Sequence, residues 1–405
     1  MRILVIAALY PPDGRGGAEN SAANFTAWLA GRGHEMAVLT TASSRAEEMH
    51  GEIVDGVRIW RLRTAHLYPA RDAPVAAAWR KPIWHAQDHV DPRNRRLVAG
   101  VLDAFRPDFV NIHFVQGLGY NTLAEIAARD LPTLFVLHDL GLACMRMSMF
   151  RDGASCARPC LGCRLSSRYK AALVGRFGRI GFSSPSAANL AALAALFPLA
   201  RYPHVSIPNP NLYPAPARQW SPADGLRLLY VGRLHRSKGV ADLLDAVAEI
   251  AAAHPVSLSV VGDGPEGEAL RRRYPGAGWL RFHGHVPEAM VGEWMGEADL
   301  LCVPSLWREN WPGVAVRALE MGLPVLASRV GGLPELVEPG VTGDLLPPGD
   351  RAAWAGALRR LLADPAELAG WRRNAGARRG RFDQDELGER LLAFMARIAG
   401  RPIEA

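Results

Sequence analysis

The sequence predicts an α/β protein built from two doubly wound parallel sheets. Three observations carry that reading. Short apolar runs alternate with stretches of helical period, the pattern of parallel strands covered on both faces by helices. The alternation occurs in two separate series. Between them, residues 207–216 hold four prolines in ten positions, so neither helix nor strand persists there.

The elements follow in order. Arg2 to Leu9 is apolar and suits a buried first strand, which Pro11-Pro12-Asp13-Gly14-Arg15-Gly16-Gly17 cannot continue. Ala18 to Arg32 places Ala22, Phe25, Ala27, Leu29 and Ala30 at helix-like spacing, and Gly31 and Gly33 end it. Met36 to Leu39 is a second strand, and Phe109 to Phe114 and Thr133 to Leu137 repeat the unit. The second series has strands at Leu226 to Val231, Leu258 to Val261, Leu300 to Pro304 and Val325 to Ala327, with a helix from Val240 to Ala252. Leu387 to Ile398 is amphipathic and is expected to cross back to the first domain. The organisation expected is a Rossmann-like domain over 1–205 with a Cys-rich loop at 144–163, a linker at 206–224, a second domain over 225–382, and a C-terminal helix within 383–405. In open parallel sheets, ligands sit outside the carboxyl ends of the strands. The expectation is therefore a cleft between two facing carboxyl edges, lined by the loops that follow the strands.

Composition narrows the class. Of 405 residues, 49% are hydrophobic and 21% charged, the balance of a globular chain and not of a disordered one. No apolar run approaches the roughly 18 residues of a membrane span. The opening apolar run is too short for a signal peptide, so a cytoplasmic protein is expected. A net charge of +7 suits anionic small molecules, a membrane surface or nucleic acid. Nucleic acid is disfavoured because no recognition module accompanies the basic residues. Only three of the 47 basic residues are lysine (Lys81, Lys170 and Lys238), so a single arginine says little and each lysine says more.

Two blocks carry chemistry. In Val231-Gly232-Arg233-Leu234-His235-Arg236-Ser237-Lys238-Gly239, two cations flank a turn between a strand and a helix. Cations beside fresh helix N–H groups can hold a diphosphate, although a solvated basic turn has the same composition. In Cys302-Val303-Pro304-Ser305-Leu306-Trp307-Arg308-Glu309-Asn310-Trp311-Pro312-Gly313, Glu309 follows an apolar strand and precedes a helix. A carboxylate there can accept hydrogen bonds from vicinal hydroxyls while the next amides face an anion.

With these blocks stand Gly16-Gly17-Ala18-Glu19, Arg32-Gly33-His34-Glu35, His138-Asp139, Val261-Gly262-Asp263-Gly264-Pro265 and Ser328 to Val337. Seven motifs in one order, over about residues 1 to 345, make the chain resemble the retaining glycosyltransferases of family four, which have the two-domain GT-B fold. The resemblance implies transfer of a sugar from a nucleoside-diphosphate donor to a saccharide, glycoside or lipid-linked acceptor, with no metal or other cofactor in catalysis. It implies that Gly16 and Gly17 approach the donor diphosphate, and that Arg233 and Lys238 bind it and stabilise its departure. His285 and Val286 would border the nucleobase. Glu309 would bind sugar hydroxyls, with the Asn310, Trp311, Pro312 and Gly313 backbone beside it. His138 would lie near the transferred sugar, and His113 at the mouth of the acceptor side. Gly33-His34-Glu35 and Gly262 to Pro265 read as structural turns. A non-catalytic GT-B protein that binds a nucleotide sugar or a partner subunit, and a phosphorylase or synthase of the same fold, remain alternatives.

One position departs from the family. Its signature has two glutamates separated by seven residues; Glu309 is the first, and Arg317 occupies the second place. That carboxylate usually accepts hydrogen bonds from the ribose, and arginine accepts none. Three readings are open: Arg317 binds phosphate or an unusual nucleotide, Glu320 reaches the ribose instead, or the chain is a weak or inactive member. A simple Arg317–Glu320 pairing along the helix is the plainer expectation.

Two further features stand apart. Four of the five cysteines fall in Cys144-x11-Cys156-x3-Cys160-x2-Cys163. Four clustered thiols in a cytosolic chain point to structural zinc, with free or redox-labile thiols as the alternative. Asp383-Gln384-Asp385 looks like a metal-binding D-x-D, but it opens the last helix and reads as a cap. Residues 58–96 carry nine Arg or Lys against three Asp, interleaved with Trp60, Tyr68, Trp79 and Trp84. That stretch reads as an acceptor-side insertion, either docking peripherally on the inner face of a membrane or forming a solvated face.

Overall fold

The computed structural model describes residues 1–13, 16–42, 51–70, 77, 79–151, 153–213 and 224–404. The chain divides into two compact units: Met1–Met149 with Ala157–Asn211 and Asp383–Ala405, and Phe150–Cys156 with Leu212–Phe382. Most of the expected linker, residues 214–223, lies outside the described residues.

The first unit holds an eight-stranded sheet. Its spatial order is His204–Ser206, Ile180–Ser184, Thr133–Val136, Phe109–Phe114, Arg2–Ala7, Glu35–Thr41, Val57–Leu62 and Gly51–Val54. All neighbours are parallel except the last two, which form an antiparallel hairpin through Asp55-Gly56. Ile3 to Ala7 are wholly buried, as expected of a central strand covered on both faces. Val57–Leu62 extends the sheet, so the basic, aromatic stretch 58–96 is not an insertion from end to end. Trp60 packs edge-on against Phe105, and the buried Trp84 stacks on Tyr68 and donates Nε1–H to its carbonyl at 2.8 Å. Of the four aromatics, Trp79 alone is well exposed, at 70%. Residues 71–76 and 78 of this stretch lie outside the described residues. Among the described residues, no helix is long and apolar enough to cross a membrane.

The helix Gln384–Ala399 belongs to the first unit. Asp383 caps it by accepting the Glu386 N–H at 2.9 Å, and Asp385 accepts the Trp28 Nε1–H at 2.8 Å and an Arg32 N–H at 3.2 Å. The D-x-D is therefore spent on a cap and a docking contact. Gly388 lets the helix close on the Trp28 ring, since a Cβ there would come within 2.4 Å of it. Ile398 similarly fills the space over Gly181.

The second unit holds a six-stranded, wholly parallel sheet. Its order is Leu280–Gly284, Val256–Val261, Leu226–Val231, Leu300–Val303, Val325–Ser328 and Gly343–Leu346. The helices Val240–Ala251 and Arg351–Ala363 pack on it around the fully buried Trp354. In each unit the parallel arrangement brings the loops after the strands to one edge, where a ligand of such a sheet binds.

Candidate active site

In the second unit, the turn after Leu226–Val231 is built by its neighbours. Tyr230 donates its hydroxyl to the Arg233 carbonyl at 2.9 Å, and the Leu234 carbonyl accepts the Glu266 N–H at 3.0 Å. The Gly262–Pro265 turn thus braces the basic turn, the structural part expected of it. A single 3-10 turn, Arg236–Lys238, then ends at Gly239, whose φ of +65° a side chain would resist. A Cβ there would also lie 1.9 Å from the Pro304 carbonyl oxygen. That close approach carries Lys238 onto the loop after Leu300–Val303.

Glu309 is the centre of that loop and is 5% exposed. Its Oε1 receives three donors: Lys238 Nζ at 2.6 Å, the Ser305 hydroxyl at 2.5 Å and Trp307 Nε1–H at 2.7 Å. The Lys238 ammonium also stands 4.9 Å from the Trp307 ring centroid. On the backbone side, the Glu309 carbonyl accepts the Gly332 N–H at 2.8 Å. Gly331, at φ +56°, sits where a Cβ would collide with the same carbonyl. A buried carboxylate is tolerable only when charge and hydrogen bonds are supplied to it, and here both are. Asn310, Trp311 and Pro312 lead half-buried into the helix Gly313–Glu320, and Trp311 rests edge-on against Phe382.

The other expected donor residues are more dispersed. Arg233 is exposed and makes no ion pair among the described residues. His285 is exposed and Val286 half-buried directly after the strand Leu280–Gly284. Arg317 is 3% exposed and makes its polar contacts with the start of the helix Glu288–Glu297. Its Nη1 donates to the Glu288 carbonyl at 3.0 Å and carboxylate at 2.9 Å, and its Nε has no hydrogen-bond partner. Glu320 does not pair with it. The Glu320 carboxylate accepts the Gly380 N–H at 2.7 Å and the Phe382 N–H at 3.1 Å, so it is committed to the end of this unit and not to a ribose. Helical rotation separates the two residues, and each takes the partner its own face meets.

The first unit contributes a second constellation. Gly16 and Gly17 are exposed at the start of the helix Gly17–Gly31, and the Glu19 carboxyl folds back against Gly16 there. His113, at the end of Phe109–Phe114, and His138, directly after Thr133–Val136, are joined Nδ1 to Nε2 at 2.8 Å with stacked rings. His113 is 3% exposed, so it backs His138 and does not stand at an open mouth. Burial holds His138 down at about 4 and pushes the Asp139 carboxyl up to about 6. His138 is therefore neutral at physiological pH, a hydrogen-bonding group and not a cation.

Sequence reasoning missed Lys170, although its rarity was a signal. It is buried on the helix Leu161–Val174, donates to the Gly141 carbonyl at 2.6 Å and lies 3.9 Å over the Tyr120 ring. Burial lowers it to about 8. Asp139 accepts the Gly141 N–H at 2.5 Å, so carboxylate and ammonium hold the two ends of one peptide segment. Of the four cysteines proposed for zinc, Cys144 and Cys163 lie 4.0 Å apart. Among the described residues no group of three or more His, Cys, Asp or Glu is arranged to hold a metal ion.

The raised Asp139 value has a stability consequence with a definite sign. A carboxyl whose folded value exceeds its unfolded 3.8 favours the fold below that pH and disfavours it as the pH rises through about 6. Asp139→Asn mimics the neutral acid. Urea denaturation should show the variant gaining stability on its parent from about pH 4 to 6, then holding a constant lead. A difference independent of pH would mean that the carboxyl is not desolvated. His138, depressed by burial, contributes oppositely: its share is present above 6.5 and lost as the pH falls toward 4.

Known proteins resemble the chain over both units. Residues 15–155 match the family described as Glycosyltransferase Family 4, and residues 225–364 match Glycosyl transferases group 1. The glycogen synthase of Mycobacterium tuberculosis is 28% identical over 407 residues, covering 95% of this chain and 91% of that protein. A phosphatidyl-myo-inositol mannosyltransferase of Mycolicibacterium smegmatis is 32% identical over 206 residues, 49% of this chain and 53% of its own. Among solved structures, the sucrose-phosphate synthase of Thermosynechococcus elongatus superposes with a TM-score of 0.76 at 20% identity, over 98% of this chain and 99% of that one. The Anabaena protein HepE, solved with UDP and glucose, gives a TM-score of 0.69 at 21% identity, over 97% and 99%.

Proposed function

Since the chain belongs to the family-four glycosyltransferases of GT-B fold, we propose that it moves a sugar from a nucleoside-diphosphate donor to a saccharide or glycoside acceptor, with retention at the anomeric carbon. The observation that carries this reading is the convergence of Lys238, Ser305 and Trp307 on Glu309 Oε1. With one oxygen engaged and the carboxylate fixed, Oε2 is the acceptor for hydroxyls of the donor sugar. The bond from the anomeric carbon to the diphosphate oxygen breaks, and a bond from the acceptor hydroxyl oxygen to that carbon forms. Arg233, Lys238 and the amides that open the helix Val240–Ala251 take up the negative charge that develops on the departing diphosphate. Within the first unit, His138, neutral and supported by His113, is a hydrogen-bonding group for a sugar hydroxyl.

Arg317 fits this scheme without acting on the donor phosphates. It fixes the Glu288 carboxylate just beyond the Leu280–Gly284 strand end, near the residues proposed to border the base. Its replacement of the second glutamate leaves the Lys238–Glu309 pair intact, which supports an active enzyme over a binding protein. The nucleotides UDP and ADP, bound by neighbours of the same fold, are donors of the class proposed.

Calorimetric titration with UDP, GDP, ADP and dTDP tests the reading. One nucleotide should bind tightly and the others markedly less. Failure of all four to bind would overturn the donor assignment and turn attention to inorganic phosphate as the co-substrate.

A further inference from the structure

The Cys-rich segment contains an arrangement that the transfer reaction does not use. Cys160 is exposed and stands at the N-cap of the helix Leu161–Val174, one turn before Cys163. Cys163 is 8% exposed and follows Cys160 by three residues in the first turn of that helix, the spacing that brings two side chains onto one face. On its other side, Cys163 donates to Cys144 Sγ at 4.0 Å, and Cys144 is 5% exposed. Three sulfurs therefore run in series from the surface to the interior. The structure gathers a pair and an entry thiol, not a four-sulfur cage, and among the described residues no metal-holding group forms.

We propose that Cys160, Cys163 and Cys144 form a thiol relay that reacts with a low-molecular-weight disulfide and closes a buried Cys144–Cys163 bond. The inference is independent of the transferase reading. The Cys160 thiolate attacks the external disulfide and expels one small thiolate, leaving a mixed disulfide on Cys160. Cys163 attacks the Cys160 sulfur and expels the second small thiolate. Cys144 then attacks Cys163 and returns Cys160 to the thiol. Two protein thiols lose two electrons, the external disulfide gains them, and the protons of Cys144 and Cys163 end on the two released small thiols.

Geometry gives the last exchange its place. A disulfide needs its sulfurs at about 2.05 Å, a closure that side-chain rotation can supply between two thiols already in contact. Cys144 sits in the turn Leu140–Met147, where the Leu140 carbonyl accepts its N–H at 2.8 Å. That turn follows His138-Asp139 directly. The bond would fasten it to the helix whose Lys170 already holds Gly141. Oxidation would thus lock covalently a segment that hydrogen bonds otherwise hold.

The test uses the full chain. The protein is incubated with excess oxidised glutathione, free thiols are alkylated before and after reduction, and the peptides are mapped by mass. The expected product has lost the mass of two hydrogens, links Cys144 to Cys163 and leaves Cys160 alkylatable. Cys160→Ser should yield the same linkage about tenfold more slowly, since the exposed entry thiol is gone. A glutathione adduct that stays on Cys160, or no disulfide at all, would overturn the proposal. So would a tightly bound zinc ion that protects the four cysteines from both reagents.

Discussion

Replacing Glu309 with glutamine should lower turnover by about two to three orders of magnitude with the fold preserved, the loss associated with one well-placed electrostatic group of about 3 to 4 kcal/mol. Glutamine has the same shape, and its amide can present only one oxygen. Lys238, Ser305 and Trp307 all donate to Oε1, so the amide oxygen must turn toward them. The NH2 group then occupies the place of Oε2 and offers a donor where a sugar hydroxyl needs an acceptor. The negative charge beside the developing positive charge of the sugar is lost as well. Turnover with saturating donor, measured beside the melting temperature, checks the claim. A variant that folds and keeps a tenth of the parental rate would remove Glu309 from the reaction.

The second large effect belongs to Lys238. Changing it to methionine keeps the stem and removes the ammonium. Hydrogen bonds to charged groups contribute about 1.5 to 3 kcal/mol, so the affinity for the selected nucleoside diphosphate should fall about tenfold to a hundredfold. The corresponding nucleoside, which has no phosphate, should bind both proteins equally. Salt should weaken diphosphate binding less in the variant, because one cation no longer contributes. Titrations of both ligands at two ionic strengths decide it. An unchanged diphosphate affinity would confine Lys238 to supporting Glu309, with which it forms an ion pair at 2.6 Å.

Much of the fold was legible because its strands are apolar runs closed by glycine or proline. Phe109–Phe114 and Leu226–Val231 coincide with the sequence reading residue for residue. Ile180–Ser184 and Gly343–Leu346 escaped it, since small and polar residues there are buried by their neighbours' packing and not by their own hydrophobicity. Val57–Leu62 was hidden by its charges: Arg58 is exposed between the buried Val57 and Ile59, but Arg61 falls on their face and breaks the alternation that marks a strand. At the site, Lys238 and Glu309 were readable because each lies in a loop directly after a strand. The direction of Arg317 was not, because its partner Glu288 belongs to another helix and sequence spacing carries no rotation between helices. Lys170 was flagged by scarcity alone; its partners, Tyr120 and Gly141, come from two separate loops.

The return of Gln384–Ala399 to the first unit bears on how the chain is made. A ribosome delivers residues 1–211 long before the helix that caps Trp28 and Gly181. At about 5 to 20 residues per second, the first sheet waits roughly ten to forty seconds for its last element. During that interval the apolar surface that Leu387, Leu391, Phe394 and Ile398 will cover is open to chaperones, or to a second nascent chain. The second unit, contiguous apart from Phe150–Cys156, can complete its sheet as soon as it emerges. Of the two units, the one begun first is thus the one finished last.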